Sequence, residues 1–121
     1  PNSIAYEGGE VTKQQLEAYP EIKTQLLPQP ANEVYIAAEK AIEALGWERV
    51  NEGALPNTLE ATDTTAWFGF KDDVVIRLTA KSDDTLVDIR SKSRVGKSDL
   101  GKNAERIETF MAELRNQLGY H

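Results

Sequence analysis

A chain of 121 residues with 40% hydrophobic and 28% charged side chains is one domain's worth of sequence, long enough to close a core. Its 14 basic and 20 acidic residues give a net charge of −6, which argues against general nucleic-acid binding. Cysteine is absent, so there is no disulfide, thiolate nucleophile or cysteine metal site, and no stretch approaches the ~18 consecutive apolar residues of a membrane span.

Residues 1–30 carry no sustained periodicity. Glu10 to Ala18 can form a short helix ended at Tyr19 and Pro20, because the residue before proline is steered away from helical backbone. Leu26 to Pro30 reads as extended, so residues 1–30 are expected to be a strap lying on a domain formed by residues 31–121. From Asn32 to Leu45, the apolar residues Val34, Ala37, Ala38, Ala41, Ile42 and Leu45 recur at helical spacing. Gly46 then stands where a left-handed cap is needed.

Trp47–Asn51 and Thr58–Thr64 are candidate strands, the second with Leu59 and Ala61 on one face. Lys71, Asp72 and Asp73 read as a polar turn before a strand Val74–Ala80. There Val74, Ile76 and Leu78 share one face, and Val75, Arg77 and Thr79 the other. Lys81–Asp84 has hairpin-turn composition and leads into Thr85–Ser91, a connection short enough to demand antiparallel neighbours. A last helix begins between Asp99 and Asn103 and runs to Leu118, with Ile107, Phe110, Met111, Leu114 and Leu118 as its buried stripe. The expected fold is a two-layer α+β domain: three or four antiparallel strands with two helices on one face, in the order helix, strands, helix.

Charge is unevenly spread. Residues 1–89 balance to −9 and residues 90–121 to +3. The basic part begins with a run from Asp88 to Arg106 that mixes arginines, lysines, serines, Gly96 and Gly101 between a strand and a helix. Two readings follow. Arginine forks, serine hydroxyls, freed amides and a helix N-terminus compose an anion cradle, with Arg90, Ser91, Ser93, Arg94, Lys97, Ser98, Asn103 and Arg106 as its ligand-binding candidates. The same residues can instead tie the turn to nearby carboxylates, the commoner use of such a run. Arg90, continuing a strand, is the expected tie, and Arg94 and Lys97 are the expected exposed ligands. The order of a phosphate-binding P-loop is absent.

Other chemistry has little to stand on. His121 is the single histidine, so the serines lack a base, and dyads with Lys92 or Lys97 lack a spacing signature. Asp72 and Asp73 are adjacent and would point to opposite faces of a strand, which does not make a metal site. No cofactor or metal is implied. Trp67–Phe70 is an aromatic cluster that packs as core or forms an apolar lip.

The stretches Glu60–Thr65, Phe68–Arg77 and Val87–Arg106 resemble the bacterial and plastid family of domain of unknown function 1499. Most of the specificity lies in Arg90, Ser91, Ser93, Arg94, Gly96, Ser98, Asp99, Gly101, Asn103 and Arg106. The lead-in Ile4–Glu10 and Ala18–Ile22 resembles members in which this domain follows membrane-spanning helices. The resemblance therefore implies a cell-envelope or membrane-tethered setting, with an anchor upstream of Pro1. The family has no agreed activity and no catalytic residues to carry over.

The expectation that results is a non-enzymatic envelope domain. It binds a protein partner or a small anion through the face bearing Arg90, Arg94, Lys97 and Arg106. The alternative is an enzyme on a phosphorylated or carboxylated small molecule, with arginine clamps and Asp72, Asp73 or Asp99 as acid/base.

Overall fold

The structure is a computed structural model, and it describes residues 21–50, 55–64, 69–94 and 100–120. The short helix expected at Glu10–Ala18, the aromatic residues Trp67 and Phe68, and the candidates Lys97 and Ser98 lie outside these residues.

The elements run β1 (Glu21–Leu27), α1 (Ala31–Ala44), β2 (Glu48–Val50), β3 (Thr58–Thr64), β4 (Lys71–Lys81), β5 (Asp84–Ser93) and α2 (Leu100–Gln117). One sheet in the order β1-β5-β4-β3-β2 joins all five strands, every pair antiparallel. The sheet thus has five strands rather than three or four. The addition is β1, which lies within the segment expected to be a strap. It pairs with β5 from Glu21 opposite Ser91 to Leu27 opposite Thr85. Strand bounds also move. Among the described residues the first strand after α1 is Glu48–Val50, β5 runs from Asp84 to Ser93, and Asp72 and Asp73 belong to β4 rather than to a turn.

Both helices pack on one face of this sheet. Val34, Ala38, Ala41 and Ile42 of α1 meet Ile107, Phe110, Met111 and Leu114 of α2 over Leu59, Val74, Ile76, Leu78, Val87 and Ile89. Trp47 stacks on Phe110 with ring centroids 5.8 Å apart. Gly46 takes φ +76° after α1, the left-handed backbone that favours glycine at a helix end. The turn at Ser82 and Asp83 closes the β4–β5 hairpin, with Lys81 opposite Asp84 and Ser82 at φ +61°. The other face of the sheet carries no element among the described residues. Alternation sends Ile22, Thr24 and Leu26 of β1, Leu86, Asp88, Arg90 and Lys92 of β5, and Asp73, Val75 and Arg77 of β4 toward that open side.

An arginine–aspartate clamp and the open face beside it

Asp72 and Asp73 open β4, where aspartate is a poor strand residue. Each is held by an arginine, from opposite sides of the sheet. On the helix side, α2 presents Asn103 and Arg106 one turn apart. Arg106 Nη2 lies 2.6 Å from Asp72 Oδ2, and its Nε donates to Asp63 Oδ2 at 2.8 Å. Asp63 and Asp72 are cross-strand neighbours, so one guanidinium bridges β3 and β4 to α2. Its Nη1 donates to Asn103 Oδ1 at 2.9 Å and to Ser91 Oγ at 3.3 Å, and Ser91 Oγ donates to the same Asn103 oxygen at 2.8 Å. The Arg106 and Asp72 side chains are only 6% and 8% exposed. Two donors aimed at Asn103 Oδ1 fix its amide, and Asn103 Nδ2 is buried with no acceptor among the described residues.

On the open side, Arg94 forks onto Asp73. Nε reaches Oδ2 at 2.9 Å and Oδ1 at 3.1 Å, and Nη2 reaches Oδ1 at 2.9 Å, with Thr62 Oγ1 at the rim. The Asp73 hydrogen bonds and charge raise the Arg94 pKa above its usual value. The Arg94 amide also donates to Lys71 O at 3.0 Å, so backbone and side chain grip the same end of β4.

The candidates among the described residues therefore do not share one surface. Ser91, Asn103 and Arg106 are interior, and Ser93 is half-buried at the same end, opposite Asp72. Arg94 is exposed but already bound to a carboxylate. Arg90 is exposed, flanked across the sheet by Ile22 and Val75, and makes no ion pair among the described residues. Relative to expectation, the ion pair among the described residues falls on Arg94 rather than Arg90, while Arg94 is exposed as expected. Residue 90 continues β5 on the open face, where its register partners are apolar, whereas Arg94 lies one position past the strand and folds back.

Sequence reading missed two features. Arg77 and Lys92 share the open face with Arg90, and the carboxylates in their register, Asp88 and Asp73, are engaged by Thr24 and Arg94. Strand alternation through Val75, Arg77 and Thr79 was the available signal. Separately, Arg49 of β2 pairs with Glu39, donates to Tyr35 Oη at 3.0 Å and lies over the Tyr35 ring. Burial opposes the Arg49 charge, but Glu39 and Tyr35 outweigh it and the pKa is raised. The i, i+4 spacing of Tyr35 and Glu39 was its only trace. A groove of about 710 Å³ opens beside it, lined by Tyr35, Ile36, Arg49, Leu55 and Pro56. Among the described residues no group of three or more His, Cys, Asp or Glu could hold a metal ion. No helix among them is long and apolar enough to cross a membrane.

A family model described as "Protein of unknown function (DUF1499)" matches residues 6–114. No curated protein matches the sequence. Among solved structures, the chain is similar to CalU16 from Micromonospora echinospora, at 16% identity over 77% of this chain and 70% of that one, with a TM-score of 0.53. It is also similar to the vertebrate conserved region of human METTL16, at 12% identity over 84% of this chain and 99% of that one, with a TM-score of 0.58. At such identities the likeness is one of fold.

Proposed function

The chain belongs to the DUF1499 family, whose members are described as of unknown function, and we propose that it is a non-enzymatic domain binding an acidic protein partner on its open sheet face. The observation that carries this reading is the set Arg77, Arg90 and Lys92. They are three exposed cations on one side of the sheet, without an ion pair among the described residues, in a chain of net charge −6. Ile22 and Leu26, 60% and 54% exposed, flank them on the same side. Cations beside exposed apolar side chains suit a partner that brings both carboxylates and apolar groups. Of the acid/base candidates Asp72, Asp73 and Asp99, the first two are committed to Arg106 and Arg94, which supports binding over catalysis at that pair, and Asp99 lies outside the described residues. Tethering at the cell envelope belongs to the same proposal and is supported by the lead-in's likeness to membrane-anchored members.

The test is a nuclear magnetic resonance titration with poly-glutamate and, separately, inorganic phosphate. Poly-glutamate is expected to shift the amides of Ile22, Val75, Arg77, Arg90 and Lys92. The shifts should weaken as salt rises and vanish in Arg90→Glu/Lys92→Glu. Shifts confined to phosphate would replace the acidic partner with a small anion. Shifts that survive the charge reversal would place binding elsewhere.

A further inference from the structure

Beyond that reading, the two edges of the sheet are unequal. At one edge β2 is three residues long, and its Arg49 is pinned to Glu39 and Tyr35 of α1. A short, tied edge offers little to another strand. The opposite edge is β1, seven residues long and in unbroken register with β5 from Glu21 to Leu27, so no bulge turns it aside. Proline follows the strand at Pro28 but does not interrupt it. Its lysine, Lys23, is neutralised by Glu108 of α2. Among the described residues nothing pairs with the far side of β1. Among the described residues, no bulge, interior proline or covering element protects this edge, and its guarding lysine, the inward-facing Lys23, is met by Glu108.

We infer that β1 is the seam at which two copies of this chain pair, antiparallel about a two-fold axis at Thr24, into one continuous ten-stranded sheet. The strand's own sequence supplies the argument for a second copy as the occupant. In this register all seven residues stay in the ladder, and Ile22 lies opposite Leu26 of the partner subunit, twice by symmetry. These are the strand's two exposed large apolar residues, and they share the open face. Leu26 already sits beside Leu86, so the seam joins two apolar rows into one. Lys23 falls opposite Gln25 of the partner subunit. A register displaced by two residues in either direction shortens the ladder and sets Ile22 or Leu26 opposite Thr24 of the partner subunit, which breaks the apolar pairing. A seam of one strand pair is small, so the dimer is expected to dissociate on dilution.

Sedimentation of the intact chain over a dilution series tests this. The parent is expected to pass from monomer to dimer, and Ile22→Glu/Leu26→Glu and Ile22→Lys/Leu26→Lys should each remain monomeric. An equimolar mixture of the two should dimerise again, which only folded chains could do. Because the chain has no cysteine, Ile22→Cys/Leu26→Cys should cross-link on mild oxidation. Ile22→Cys alone should not, since the two copies of that residue stand four positions apart, beyond disulfide reach. A parent that stays monomeric, charge variants that still dimerise, or a cross-link through Ile22→Cys alone would each overturn the seam.

Discussion

Arg94 and Arg106 make the same kind of bond at opposite levels of burial, and that difference governs what each contributes. Removing a partner from a buried pair leaves a charge that water cannot reach, a loss of about 3–5 kcal/mol. Arg106→Ala does this to Asp72, which is 8% exposed, and should lower stability to urea by that amount. Arg106→Met/Asp72→Leu removes both charges and should recover most of it. A midpoint within 1 kcal/mol of the parent's for Arg106→Ala, by the scale of ordinary surface changes, would refute the clamp. The Arg94–Asp73 fork is half exposed on both sides, so water replaces it when it is broken. Arg94→Ala should leave the urea midpoint close to the parent's.

At the scale of elements, α2 holds the core by one stripe. Leu114 is fully buried against both layers, so Leu114→Ala should cost about 2–5 kcal/mol. A urea shift under 1 kcal/mol would contradict the packing of α2. That stripe and the one on α1 were legible because apolar side chains at helical spacing have one place to go. The β4–β5 hairpin was legible for the same reason, with a turn sequence to match. β1 was not. Its alternation is inverted, with Ile22 and Leu26 on the open face, while Lys23 and Gln25 face the helices and are satisfied by Glu108 and Arg115. A rule that puts apolar residues inward cannot read such a strand. The clamp was half legible. The run from Arg90 to Arg106 announced arginines seeking anions, but which of them meets a carboxylate depends on the face and register that each takes beside β4.

Across the whole molecule, β2, β3, β4 and β5 pair with sequence neighbours, whereas β1 must find β5 across 58 to 70 residues, from Leu27 opposite Thr85 to Glu21 opposite Ser91. Closing that loop costs chain entropy that local hairpins do not pay. β1 is also an edge strand with half its side chains in solvent, so it should open before the rest of the sheet. In the chain diluted to its monomer, native-state hydrogen exchange should therefore give the β1 amides that bond to β5 a smaller opening free energy than those of β4. Equal protection in the two strands would show that the sheet opens only as a unit. The aspartate pair at the head of β4 bears on the same sheet in another way. A slip of one residue along β4 would bring Lys71 into the place of Asp72, against the buried Arg106, or Val74 into the place of Asp73, beneath Arg94. In one direction Arg106 keeps only Asp63 and faces a lysine, and in the other Arg94 loses Asp73. The order Lys, Asp, Asp, Val with an arginine on each side thus acts as a key with a single fit, marking the frame in which the apolar residues beyond it must enter the core.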